Sequence, residues 1–119
     1  MTKNADISHI DQNQRRSRAI IHNGLVYTAG QVPDDLSLDI EGQARQVLDK
    51  IDALLAEAGT DKSRALTAQV WLSSRDDLAA FNVIWDNWVV PDHTPTRICG
   101  RVDMNNPACR VEIQLTAAV

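Results

Sequence analysis

Three polar residues in the C-terminal quarter of the chain have the types and spacing to do chemistry: Arg97, Cys99 and Glu112. Arg97 opens a strand-like stretch directly after Thr94-Pro95-Thr96, so Arg97, Cys99 and Arg101 fall on one face by alternation. A guanidinium there can grip a small carboxylate through two parallel hydrogen bonds. It can equally lie along the surface with its methylenes over apolar neighbours. Glu112 sits within the last strand-like run, where it can serve as a general base or pair with a cross-strand arginine. Cys99 could attack as a thiolate, but neither a helix start nor a neighbouring histidine is in place to lower its pKa. The expectation is a buried, inert thiol. His9 lies in the polar start, His22 in a turn and His93 in a Pro-bounded loop, and all three read as surface groups.

Other chemistries find no motif. The chain has no Walker loop, GxGxxG, HExxH, GxSxG or paired CxxC, and its two cysteines and three histidines lack zinc-site spacing. The formal charge is −4, from 12 basic and 16 acidic side chains with no basic stripe, which argues against nucleic-acid or anionic-membrane partners. The start, Met1-Thr-Lys-Asn-Ala-Asp6, is polar where a secretory leader would be apolar, and no window reaches the length of a membrane span. A cytoplasmic protein with Cys99 and Cys109 reduced is expected.

The elements that must position these residues can be read from periodicity. At 119 residues and 44% apolar composition the chain has room for one folded domain, residues 1–119, with 1–12 expected to be loosely ordered. Residues 17–21 and 25–29 read as strands joined at His22-Asn23-Gly24, a hairpin signal because Asn and Gly tolerate positive φ. A helix is predicted over about 38–58. Ile40, Ala44, Val47, Leu48, Ile51, Leu54, Leu55 and Ala58 form its apolar stripe, and Glu41, Gln43, Arg45, Asp49, Lys50 and Asp52 its polar face. Gly59 is placed to end it. Leu66, Ala68, Val70 and Leu72 alternate as a strand, with Trp71 on the other face. Ser74 and Asp77 have capping-box spacing ahead of a second helix carrying Leu78, Phe81, Trp85 and Trp88. Strands at 97–102 and 109–119 close the chain. The order β-β-α-β-α-β-β predicts an α+β fold with two helices on one face of a mixed sheet. The other face also carries apolar side chains, which a symmetric oligomer would cover.

Several of these segments together resemble the RidA/YjgF family of reactive-intermediate (enamine/imine) deaminases. The resemblance runs from about residue 17 to 119. It is carried by Tyr27-Thr28-Ala29-Gly30-Gln31-Val32-Pro33, by Asp77-Leu78-Ala79-Ala80-Phe81-Asn82, by Thr94-Pro95-Thr96-Arg97-Ile98-Cys99 and by Val111-Glu112-Ile113. The run Ile84-Trp85-Asp86-Asn87-Trp88-Val89-Val90 is most similar to a YoaB-like branch. The resemblance implies a chorismate-mutase-like fold, a homotrimer with three clefts between subunits, and no cofactor or metal. It implies hydrolysis of small 2-imino acids such as 2-iminopropanoate and 2-iminobutanoate to 2-keto acids and ammonia. Arg97 would then bind the substrate carboxylate, and backbone groups of Gly30 and Cys99 would hold the carboxylate and imino nitrogen. Glu112 would position a water, and Asn82 would shape the cleft. Two positions depart from the pattern: Arg16 stands where these deaminases place a pocket tyrosine, and Ala29 where serine is common. The alternative implied by those departures is a noncatalytic trimer that binds small carboxylates, or a protein partner, in the same clefts.

Overall fold

The computed structural model describes residues 6–119. Eight regular elements follow one another: β1 (Ser8–Ile10), β2 (Ala19–His22), β3 (Leu25–Thr28), α1 (Ile40–Glu57), β4 (Ala65–Leu72), α2 (Leu78–Trp88), β5 (Thr96–Arg101) and β6 (Val111–Ala118). The strands form one sheet in the order β1-β2-β3-β6-β4-β5. All neighbours are antiparallel except β4 and β5, which run parallel across the α2 crossover. Both helices lie on one face, as the α+β reading predicts. No helix among the described residues is long and apolar enough to cross a membrane.

Local signals account for most of these boundaries. Asn23 and Gly24 take φ of 51° and 76°, the paired left-handed conformation of the tight hairpin turn. Asp39 caps α1 by accepting from Gly42 N at 2.8 Å. The helix ends at Gly59 (φ 86°), where Thr60 N reaches back to Leu55 O at 2.9 Å. All eight predicted stripe residues of α1 are buried, and each buried leucine or isoleucine contributes about 1.5–3 kcal/mol of apolar transfer.

Three expectations need correction. Residues 8–10, expected to be loose, form edge strand β1, with Ser8 opposite Ile21 and Ile10 opposite Ala19. Residues 1–5 of that expected loose stretch lie outside the described residues. So short and polar a strand has no periodicity to read; backbone pairing with β2 holds it. Ser74 does accept from Asp76 N at 3.2 Å, opening a 3-10 turn ahead of α2, but Asp77 makes no side-chain cap. Its buried carboxylate instead takes two hydrogen bonds from Arg110, at 2.7 and 3.1 Å, because a paired charge is what makes burial of a carboxylate tolerable. Gln43, assigned to the polar face of α1, is fully buried.

The sheet has one covered and one uncovered face. Val26, Val70, Val111, Ile113 and Leu115 point at the helices and are fully or almost fully buried. The opposite positions carry Tyr27, Trp71 and Ile98, and Ile98 is 54% exposed. Tyr27 and Ile98 thus give this face exposed apolar surface.

Candidate active site

Arg97 is positioned by a small residue and two aromatic rings. On β5 it lies beside Ala68 of β4, on the helix-facing side of the sheet. Alanine leaves room for the guanidinium to extend over α2, where its Cζ sits 5.3 Å from the Trp85 ring centroid and 6.0 Å from that of Phe81. Nη1 donates to Asn82 Oδ1 at 3.0 Å. A guanidinium has five N–H donors in a fixed fork. Asn82 takes one and orients the rest, a neutral clamp that leaves the positive charge uncompensated.

Cys99 lies two residues along the same strand, and here the structure departs from the expected buried thiol: Cys99 is exposed. β5 is the sheet's terminal strand, so among the described residues its outer backbone groups have no partner strand. The thiol pKa is nonetheless pushed up by lost hydration, with the Arg97 charge acting weakly in the other direction. Cys99 therefore stays protonated at neutral pH, and its backbone is better placed for recognition than its sulfur is for attack.

Glu112 belongs to a second group of residues. Alternation along β6 sends Val111 and Ile113 into the core, and Glu112 out beside Trp71 on the uncovered face. Gln31 is locked to Ile113 by two backbone hydrogen bonds of 2.8 and 3.1 Å, which brings Gly30 over Glu112. A Cβ at position 30 would fall on Glu112 Oε2 and 3.0 Å from its Cδ, so the approach requires glycine. Within the chain, among the described residues, the half-buried Glu112 carboxylate has no hydrogen-bond or ion-pair partner. It borders a cavity of about 200 Å³ between the loops at 32–36 and 104–109.

Arg16 is exposed in the segment joining β1 to β2, which a hydrogen bond from Ala29 N to Arg18 O (2.8 Å) ties beside Ala29. The turn there is held by Asn13 Oδ1, which accepts from the backbone N of Arg16 at 2.9 Å. Arg16 thus belongs to the Gly30 end of the molecule, and among the described residues its side chain forms no hydrogen bond or ion pair with Arg97 or Glu112.

The predicted site residues consequently separate into two half-sites. Arg97, Asn82 and Cys99 occupy the helix face and outer edge of the sheet, while Gly30 and Glu112 occupy the uncovered face. They do not meet within one chain, and no Arg97–Glu112 salt bridge forms. Sequence reasoning missed Gln43 as a support. Its amide donates to Leu36 O, Leu38 O and Ala108 O (3.3, 3.1 and 3.0 Å) and accepts from Arg110 N at 2.8 Å. It thereby joins the two loops beside Glu112. A signal was present: Gln43 stands three residues after Ile40 and four before Val47, on the apolar stripe.

The sequence profile of the Endoribonuclease L-PSP family matches residues 7–119. A RutC family protein from Haemophilus ducreyi is 45% identical over 113 residues, covering 95% of this chain and 97% of the relative. The RutC family protein YoaB of Escherichia coli is 41% identical over 113 residues, covering 95% and 98%. Among solved structures, a member of the YjgF protein family from Neisseria meningitidis superposes with a TM-score of 0.92 at 38% identity, over 95% of this chain and 94% of that one. With this agreement in sequence, length and fold, the chain belongs to the Endoribonuclease L-PSP family, the RidA/YjgF group, alongside RutC family proteins of the YoaB type.

Proposed function

We propose that this chain is an imine deaminase, hydrolysing small 2-imino acids to 2-keto acids and ammonia, with each site assembled from two copies in a homotrimer. The observation that carries this reading is the unpaired Glu112 carboxylate held against Gly30 on the uncovered sheet face. A carboxylate so placed can orient a water and take its proton. Arg97 lies on the other face of the same sheet, so the two charges share a ligand only when a second copy brings its β5 edge over Glu112. The exposed Ile98 and Tyr27 supply the apolar surface for that association.

In the assembled cleft Arg97 binds the substrate carboxylate bidentately, held in orientation by Asn82. Backbone groups of Gly30 and Cys99 hold the carboxylate and the imino nitrogen. A protonated imine carbon is already electrophilic, so orientation and a general base supply the catalysis and no cofactor takes part. Glu112 accepts a proton as the water oxygen bonds to C2. The carbinolamine then receives a proton on nitrogen, the C–N bond breaks with its electron pair leaving on ammonia, and loss of the hydroxyl proton gives the 2-keto acid. The net charge of −4 suits one small anion captured by a local arginine better than an RNA backbone, which calls for several cationic contacts.

A carboxylate-binding trimer without turnover is the second reading. It is favoured by Ala29, which lacks a hydroxyl for a polar substrate group, and by the exposed Arg16 at the same end.

The test is hydrolysis of freshly generated 2-iminopropanoate by Arg97→Ala, by Glu112→Gln, and by the two variants refolded together. Each alone should keep only about a hundredth of wild-type activity or less, and statistical mixing should restore about a quarter of it. An inactive wild type that assembles correctly would move the assignment to the binding reading. Activity in the wild type without restoration in the mixture would place the whole site in one chain.

A further inference from the structure

Asp52, on the polar face of α1, has no part in the steps above, yet it is drawn partly out of water. It is half-buried at the rim of a cavity of about 340 Å³ between α1 and α2. Its two carboxylate oxygens both accept from Trp88 Nε1, at 3.1 and 3.2 Å. The Lys62 ammonium lies over the same ring, 5.2 Å from its centroid. Lost hydration pushes the Asp52 carboxyl above its ordinary range, while the Trp88 hydrogen bond and the Lys62 charge act the other way. Drawing a carboxylate from water costs free energy that its partners must offset, so the pair defines where the buried Trp88 ring sits.

From Trp88 the contacts run on to Arg97. Trp85 stands one turn earlier on the same face of α2, its ring centroid 5.4 Å from that of Trp88. The Arg97 guanidinium in turn lies 5.3 Å from the Trp85 centroid. Asn82 takes a single N–H of that guanidinium, and one hydrogen bond alone would leave its plane free to turn. Two parallel bonds to a carboxylate demand a defined plane, and the ring faces beneath Arg97 supply it, Trp85 being the nearer of the two. Resting on the reading that Arg97 binds the substrate carboxylate, we infer that Asp52 is a positioning residue for Arg97, acting through Trp88 and Trp85. Without its acceptor the Trp88 indole loses its fixed tilt and Trp85 loses a packing surface. The guanidinium fork then samples orientations in which only one of its two bonds to a carboxylate forms. The coupling begins on α1, an element that supplies none of the proposed cleft residues.

The discriminating measurement is the split between kcat and KM for 2-iminopropanoate, generated in place by an amino-acid oxidase, in Asp52→Ala and Trp88→Phe. The first removes the acceptor and the second the donor, and they are made separately so that failure of one to fold leaves the other. KM should rise about three- to tenfold in each, with kcat less affected. Asp52→Asn, which keeps an oxygen facing the indole, should recover most of the loss. In an Arg97→Ala background Asp52→Ala should add nothing, because the clamp it orients is gone. A merely structural role would lower kcat with the folded fraction and leave KM alone. That result, an equal loss in Asp52→Asn and Asp52→Ala, or full additivity with Arg97→Ala would overturn the inference. A parallel arm measures pyruvate binding by ligand-observed NMR. If no imine is hydrolysed but pyruvate binds, and Asp52→Ala weakens that binding while Asp52→Asn does not, the deaminase reading falls and the positioning role stands. A wild type that neither hydrolyses the imine nor binds pyruvate leaves Arg97 without a carboxylate and removes both.

Discussion

Arg97 illustrates how a local environment assigns a task to a side chain. Its neighbours are an amide oxygen and two aromatic rings, none of which neutralises it, so the charge is oriented without being consumed. Removing it should cost a charge-assisted bidentate contact, about 2–3 kcal/mol, or roughly 10²-fold in kcat/KM in the imine assay. Arg97→Lys should recover little, since an ammonium can neither fork onto a carboxylate nor stack on Trp85 in the same way. Cys99 gives the converse case, an exposed residue without matching reactivity. Because partial loss of hydration raises its thiol pKa above the ordinary range, the thiolate is scarce at neutral pH and grows only as pH rises through the raised value. Alkylation of Cys99 by iodoacetamide should therefore be slow at pH 7 and accelerate at higher pH than for a free thiol, and Cys99→Ala should retain activity. Fast modification at neutral pH, or inactivity of Cys99→Ala, would show that the sulfur takes part. Neither the Asn82 clamp nor the exposure of Cys99 was legible in the sequence, because each depends on which element lies beside β5.

At the scale of elements, the site depends on two loops and the helix that secures them. Gly30→Ala should fold, since the obstructed atoms are the far end of the flexible Glu112 side chain, but the carboxylate must swing away. A loss of kcat larger than any change in the denaturation midpoint is the expected result. Gln43→Leu should behave in the opposite sense. It strands Arg110 N–H and several carbonyls in the interior, and urea unfolding should register a loss of at least ~2 kcal/mol. The hairpin turn, the α1 stripe and the Gly59 stop were all readable because each signal is confined to one or two turns of chain. Asp77 was misread for the complementary reason. Its spacing from Ser74 suggests a cap, but its partner Arg110 is 33 residues away, and local spacing carries no information about so distant a group.

For the whole molecule the uncovered sheet face is decisive. Ile98→Asp places a charge on the surface proposed to join copies, without entering the core. The wild type should sediment as a trimer and Ile98→Asp as a folded monomer without deaminase activity, because its half-sites no longer meet. An active monomer would refute the shared site. Apart from the edge strand β1, the order of helices and strands, and the alternation of faces within each strand, followed from the sequence itself, since 3.6- and two-residue periods are set by backbone geometry and are visible in a single segment. The same reading, helped by the family motifs, singled out Arg97, Gly30, Cys99 and Glu112. Only the tertiary structure decided that Arg97 and Glu112 lie on opposite faces of one sheet. Alternation says which residues of a strand share a side, but the relation between β5 and β6 runs through their common neighbour β4. That register is set by long-range pairing and by which side the helices bury.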